Sequence, residues 1–169
     1  MKKTIIIILA GLVVVGGMVL WNKNKGGMME IKNETAQSIA VKLYYYNPEK
    51  DKDAKGNILC SKQGLEPLDR EFESSNSIID DTIRLLLVGN IRNDEREKGI
   101  STEYPLPGLD LMDSDLEGGL LTLRFVDSQN KTTGGACRTA VLWAQIEATA
   151  LQFEEVKEVK YLPEELFQP

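Results

Sequence analysis

Two cysteines, Cys60 and Cys137, are the residues of this 169-residue chain with the clearest chemistry, and the sequence contains no histidine. They lie 77 positions apart, which excludes a C-x-x-C redox or zinc motif. In an exported protein, two lone cysteines most simply form one disulfide, whereas in the cytosol both would be buried thiols. The absence of histidine excludes a Ser-His-Asp triad, a Cys-His dyad and histidine-bound zinc.

Acidic side chains gather in two segments that could bind a ligand. Asp80 and Asp81 stand near Arg84 at helical spacing, although such groups commonly complement the helix dipole and pair along the helix. We keep Asp80 and Arg84 as a candidate ligand or partner surface. Four further carboxylates could hold calcium through oxygen, but a hairpin turn uses the same residues for local hydrogen bonds. We predict no metal site there: Asp110, Asp113, Asp115 and Glu117.

Three consecutive tyrosines end the first predicted strand. Because side chains alternate along a strand, at least one ring faces the solvent, where it could stack on a sugar or on a partner side chain. Tyr44 and Tyr46 therefore join the candidate surface. The simpler interpretation is that two of the three rings fill the faces of the sheet.

The segment Thr132–Gly135 precedes the second predicted helix. Its backbone N–H groups could bind an anion at the helix N-terminus. A helix cap followed by a glycine turn explains the same residues more simply.

The charge of the chain argues against nucleic acid as a partner. The formal net charge is −6, and all four charged residues among the first 25 are lysines, so the remainder is still more acidic. Nucleic-acid binding needs a basic stripe, which the sequence lacks. The apolar fraction of 42% and the charged fraction of 27% are typical of a globular domain.

The N-terminus predicts attachment to a membrane. Residues 4–21 carry no charge and follow Lys2 and Lys3. This length is near the lower limit for a spanning helix, and no A-x-A-like cleavage site follows, which favours a signal anchor over a cleaved signal peptide. We predict a transmembrane anchor or signal peptide over residues 1–21 and a polar linker over 22–37. The protein would then be a single-pass protein of the cell membrane, with its soluble domain, residues 38–169, outside the cytoplasm.

Hydrophobic periodicity over the remainder predicts the order β-β-α-β-β-α-β. The expected class is α+β, with two helices packed on one face of a small mixed sheet. In the second helix we predict that Arg138, Gln145, Thr149 and Gln152 form the polar face. The predicted strands are 39–46, 65–72, 109–112, 121–126 and 156–161, and the predicted helices are 78–87 and 136–153.

This order, with the residues that carry it, resembles the GerMN domain family, first recognised in a spore-germination and sporulation protein. The resemblance covers residues 39–163. The matching segments are the opening strand Val41–Tyr46, the pair Asp69–Arg70, the helix end Leu85–Gly89, the loop Glu97–Pro105, the hairpin through Gly118–Gly119, the Ala-rich second helix and the closing strand Val156–Val159.

The resemblance implies a membrane-attached, extracytoplasmic module of the cell envelope without catalytic residues or cofactors. We expect it to act as a scaffold that binds a protein partner, or itself, through a sheet edge or a helix face. The alternative is a module that recognises peptidoglycan or another cell-wall ligand. The chain departs from the first-recognised member in having one copy of the domain where that protein has two, and in lacking a lipid-attachment cysteine; the location in the cell envelope is the prediction that we keep. Without histidine or a paired-carboxylate motif, we predict that the protein is not an enzyme.

Overall fold

The computed structural model describes residues 38–74 and 77–169. Within them the predicted element order is confirmed, with one short helix and two 3₁₀ turns added. The elements are β1 (Ser38–Tyr46), 3₁₀ turns at Pro48–Lys50 and Lys62–Gly64, β2 (Leu65–Glu73), α1 (Ile78–Leu87), α2 (Asn93–Glu97), β3 (Leu109–Glu117), β4 (Leu120–Asp127), α3 (Ala136–Ala150) and β5 (Glu158–Leu162).

The strands of the described residues form two sheets, so the prediction of one small mixed sheet with both helices on one face is wrong. β1 pairs with β2 antiparallel, while β4 pairs with β3 antiparallel and with β5 parallel. The second edge of β1 is occupied by α3 and the turn that follows it: the Lys42 N–H donates to Gln152 Oε1 at 2.8 Å and the Tyr44 N–H to Thr149 Oγ1 at 3.0 Å. An edge whose backbone groups are bonded to helix side chains does not need a further strand.

Alternation along β1 divides its side chains between core and surface. Val41, Leu43 and Tyr45 are buried, whereas Lys42 is exposed. The β3–β4 hairpin turns at Gly118 and Gly119, whose φ angles are +58° and +93°. Two successive positive φ angles favour glycine and suit the twist of a tight hairpin.

Helix α1 begins and ends at residues suited to those positions. The Ser77 hydroxyl accepts a hydrogen bond from the Asp80 N–H at 3.3 Å, which caps the first turn. Just beyond the helix, Gly89 has a φ of +67°, and a Cβ there would lie 1.9 Å from the Tyr104 carbonyl oxygen. Only glycine fits between this helix end and the loop before β3.

Helix α3 buries part of the face that we predicted to be polar and solvated. Gln145 and Thr149 are fully buried beside Leu142 and Ile146, and Thr149 meets the edge of β1, where it accepts a hydrogen bond. Cys137 is exposed at the start of the helix. The polar face of α3 is therefore an internal contact surface over its second half.

One hydrophobic core joins residues from Val41 to Phe167. Within residues 38–74 and 77–169, no helix has the length and hydropathy needed to cross a bilayer. The predicted anchor, residues 1–21, and the predicted linker, residues 22–37, lie outside the described residues.

Candidate functional site

A surface cleft of ≈ 670 Å³ opens between α3 and the loops that follow β1 and α2. One wall is α3 and its cap, from Gly135 to Gln145. The opposite wall consists of Tyr46, Pro48, Ile58 and the segment Ser101–Glu103. We call this feature the α3 cleft. Its lining is mainly apolar, with polar groups at its two ends, which is the usual make-up of a ligand site.

The Cys60–Cys137 disulfide lies beside the cleft and holds one wall against the other. The structure joins the two sulfurs, with Cα atoms 5.2 Å apart, inside the usual disulfide range. It therefore brings together the pair that the sequence predicts. Because Cys137 also lines the cleft, the bond fixes the segment carrying Ile58 beside the first turn of α3.

The N-terminus of α3 has no side-chain cap. Its N-cap residue is Gly135, and the N–H groups of Ala136, Cys137 and Arg138 have no hydrogen-bond acceptor among the described residues. Unpaired N–H groups in the first turn carry a partial positive charge. The Arg138 side chain is already engaged, since its Nε donates to Glu103 Oε2 at 2.7 Å and its Nη1 to the Thr133 carbonyl.

Gln145 lines the cleft although the residue is fully buried, so it lies at the floor. Its Nε2 donates to the Val141 carbonyl at 3.1 Å, while its Oε1 has no hydrogen-bond partner in the described part of the chain. A buried polar atom without a partner is uncommon in a folded protein.

The position of Gln145 explains why its oxygen is left unpaired. Gln145 and Thr149 lie on α3, and Gln152 lies in the turn just beyond it; Thr149 and Gln152 accept hydrogen bonds from β1. At the next such position of β1, the Tyr46 N–H donates to the Ser101 carbonyl at 3.2 Å, and the Ser101 N–H donates back at 2.8 Å. Ser101 has thus taken the place that Gln145 would fill, and the cleft opens there.

Beneath the cleft, Tyr46 is held in place by a buried aspartate. Its hydroxyl donates to Asp51 Oδ2 at 2.5 Å, and Asp51 also accepts from the Ser61 N–H and hydroxyl. Burial and the bond to Asp51 raise the pKa of Tyr46 well above its usual value. Burial alone would raise the pKa of Asp51, but the hydrogen bonds from Ser61 and Tyr46 outweigh it and lower that pKa. The tyrosine hydroxyl is therefore a fixed, neutral donor.

A buried ion pair ties the β1–β2 sheet to α2. Arg70 donates to both oxygens of Glu95 at 2.8 and 2.7 Å, and the Arg92 N–H donates to the same carboxylate at 2.8 Å. The hydrogen bonds from Arg70 hold the pKa of Glu95 at about 2 in spite of its burial. Arg70 belongs to a segment that carries the family resemblance, and its contacts here are structural.

The structure does not gather the predicted surface residues into one site. Tyr46 is buried and lines the α3 cleft, whereas Tyr44 is half-buried on β1 and does not line it. On α1, Asp80 accepts a hydrogen bond from Ser114, and Arg84 donates to the Met112 carbonyl at 3.2 Å. Asp80 and Arg84 thus fix α1 to β3.

Sequence reasoning missed the α3 cleft and Gln145. The signal that could have found them is the recurrence of polar side chains at spacings of four and three on a helix of otherwise small and apolar residues. In the acidic segment on β3, Asp113 forms an ion pair with Arg124. No group of three or more cysteines and acidic residues among the described residues could hold a metal ion.

No family model matches the sequence, and no curated protein matches it in sequence. The tandem GerMN domains of the sporulation protein GerM from Bacillus subtilis are 17% identical over 79% of this chain, with a TM-score of 0.49; this chain spans 42% of that one, less than half its length. A candidate lipoprotein from Clostridium perfringens is 16% identical over 80% of this chain and 81% of its own, with a TM-score of 0.39. The first of these structures bears the name of the family that the sequence resembles.

Proposed function

We propose that the chain is a non-catalytic binding module of the cell envelope, anchored through residues 1–21, and that the α3 cleft is its partner or ligand site. The observation that carries this proposal is the coincidence, in one apolar cleft, of an uncapped helix N-terminus and the unpaired Oε1 of buried Gln145. The unpaired Oε1 is costly in a surface that binds nothing, because it is buried away from water. The N–H groups of the helix N-terminus lie at exposed or half-buried residues, where a ligand can reach them.

Two features support a location outside the cytoplasm. The Cys60–Cys137 disulfide is typical of oxidising compartments. The uncharged run of residues 4–21 is typical of an export signal or anchor. In intact cells that express the full chain, we expect an external protease to digest it and a maleimide to label Cys60 and Cys137 only after reduction. Labelling without reduction would contradict this location.

The electrostatics support binding over catalysis. Each carboxyl group with a resolved shift in the described residues has a lowered pKa: Asp51, Asp53, Glu95 and Asp127. A general acid at neutral pH needs a raised pKa. The tyrosines with resolved shifts have raised pKa values, so they do not supply a base near neutral pH.

Site-specific photo-crosslinking in intact cells tests the proposal. A photoreactive residue replaces Ile58, which lines the cleft and is 49% exposed, and the matched control is Val126, which is 40% exposed on β4. We expect adducts from position 58 and few from position 126, and equal yields from both positions would contradict the proposal. An adduct that a protease digests indicates a protein partner, and an adduct with twice the mass of the chain indicates self-association. An adduct that a wall-lytic enzyme digests favours the peptidoglycan alternative.

A further inference from the structure

We infer that the α3 cleft takes an extended peptide segment that ends in a free carboxylate. The carboxylate lies at the N-terminus of α3, and a backbone N–H of the segment donates to Gln145 Oε1 at the other end. This inference rests on the proposed function and specifies the chemistry of the ligand at that same site.

The N-terminus of α3 forms the end of the cleft that binds the carboxylate of the peptide. Three N–H groups, from Ala136, Cys137 and Arg138, have no acceptor among the described residues, and the helix is 15 residues long. Backbone donors in this arrangement favour an anion, and the helix dipole adds to the attraction. The nearby Glu103 carboxylate is bonded to Arg138 Nε at 2.7 Å, so its charge is offset by its partner.

Gln145 supplies the second, independent end. Its Oε1 requires a donor, because its Nε2 already donates to the Val141 carbonyl and the reversed amide would place two oxygens together. The side chain is fully buried at the floor of the cleft. A ligand that reaches it must therefore present an N–H or O–H group in an apolar setting.

The distance between the two ends sets the length of the ligand. Cys137 and Gln145 are eight residues apart on α3, which at about 1.5 Å per residue corresponds to roughly 12 Å. An extended peptide advances about 3.3 Å per residue, so three or four residues cover this distance.

The walls between the ends favour a peptide over a sugar. Pro48, Ile58, Val141 and Leu142 are apolar and offer side-chain methyl, methylene or ring surface along the length of the cleft. A sugar chain carries hydroxyl groups along its whole length, and each would need a hydrogen-bond partner. A peptide with small apolar side chains confines its polar groups to its backbone. The two polar ends meet some of these groups, and Ser101 and Thr102, which also line the cleft, offer partners to the others.

Binding of two defined peptides to the full chain tests the inference. The probes are acetyl-Ala-Val-Ala-Ala with a free carboxylate and the same peptide as its C-terminal amide, titrated against ¹⁵N-labelled protein. We expect saturable shifts of the Ala136 and Cys137 backbone amide signals with the acid, and about tenfold weaker binding of the amide, because a charged acceptor is bound more strongly than a neutral one. Equal affinity for the two peptides, or no binding at millimolar concentration, would overturn the inference.

A matched pair of glutamine variants tests the second end. Gln145→Met keeps the length of the side chain but removes its acceptor, and we expect about tenfold weaker binding of the acid peptide. Gln129→Met changes an exposed loop residue and should bind as the unaltered chain does. Unchanged affinity of Gln145→Met would overturn the inference. The comparison of the acid peptide with the amide peptide uses the unaltered chain, so it still tests the inference if Gln145→Met does not fold.

The peptide titrations and the photo-crosslinking experiment together separate this inference from the proposed function. If neither peptide binds but position 58 still forms adducts in cells, the peptide inference fails and the binding site stands. If position 58 forms no adducts either, the peptide inference and the proposed function both fail. Fusion of the acid peptide to the C-terminus of a carrier protein distinguishes two sources of the ligand. Retained binding indicates that the ligand is the C-terminal tail of a protein, and lost binding indicates that it is a free oligopeptide.

Discussion

In the three-stranded sheet, Leu111, Leu121 and Leu123 face the core, while Asp113 and Arg124 pair on the outer face with 58% and 45% of their side chains exposed. The two-stranded sheet carries an exposed pair, Lys42 and Asp69, and a second pair that is buried. Arg70 and Glu95 form their ion pair with only 13% and 6% exposed. The three-stranded sheet buries mainly apolar side chains, whereas the two-stranded sheet also depends on a buried ion pair whose two members must each find a partner.

The difference bears on where a binding site can form. The three-stranded sheet carries its charged pair on the outer face, where water solvates it. The β1–β2 sheet meets α3 through hydrogen bonds from Lys42 and Tyr44, and where that series ends at Gln145 a polar atom is left inside an apolar cleft. The candidate site therefore lies in the region with buried polar contacts.

The largest expected effect comes from the disulfide, which ties the β1–β2 region to α3. In the double variant Cys60→Ser/Cys137→Ser, we expect the free energy of unfolding to fall by about 4 kcal/mol, because a long loop is no longer closed in the unfolded chain. Urea denaturation of the full chain measures this change. The reduced, unaltered protein is the control and should match the variant. A loss below about 1 kcal/mol would show that the β1–β2 region holds to α3 without the bond.

The buried ion pair should contribute more than the exposed one. Glu95→Gln leaves Arg70 buried without a full countercharge, and we expect a loss of about 3 kcal/mol in the free energy of unfolding. Asp113→Asn, which breaks the exposed pair on the three-stranded sheet, should cost less than about 1 kcal/mol. Urea denaturation of both variants checks the contrast. Equal losses would remove the distinction between the two sheets.

The same pair predicts a specific dependence on pH. The pKa of Glu95 falls from a usual 4.5 to about 2 on folding, so its contribution is complete above about pH 4.5 and is lost as the pH falls toward 2. The lowered pKa values of Asp51 and Asp127 act in the same direction. Denaturation midpoints measured across this range should fall with pH, and less steeply in Glu95→Gln. Parallel profiles for the two proteins would contradict the assignment to Glu95.

A smaller loss than that of the disulfide or the buried ion pair is expected at the edge of β1. Thr149→Val keeps the shape of the side chain but leaves the Tyr44 N–H without its acceptor, and we expect a loss of about 2 kcal/mol. The matched control is Thr122→Val on the outer face of β4, which should change stability by less than about 0.5 kcal/mol. Thermal and urea unfolding of both variants compares the two positions. If Thr149→Val left the free energy of unfolding unchanged, water or another group would have to accept the hydrogen bond of the Tyr44 N–H.

Local patterns correctly predicted much of the fold. Alternation located β1 and the strands of the β3–β4 hairpin, and Ser77 and Gly89 marked the ends of α1. Helix α2 was missed because it is five residues long and mostly charged, so it has no apolar periodicity to detect. Of the candidate surface, only Tyr46 lies at the α3 cleft, because the other predicted residues were chosen for local exposure or charge.

The sequence by itself determined the order of the elements and the one pair of cysteines available for a disulfide, since both follow from residue types and their periodicity. Only the tertiary structure decided that the strands form two sheets and that Gln145 and Thr149 are buried. The physical reason is that sequence patterns assign a polar side chain on a helix to the solvent. Whether it is buried depends on a backbone group far away in the sequence that can form a hydrogen bond with it. For Thr149 that group is the Tyr44 N–H; for Gln145 Oε1 the described chain provides none, and the cleft opens there.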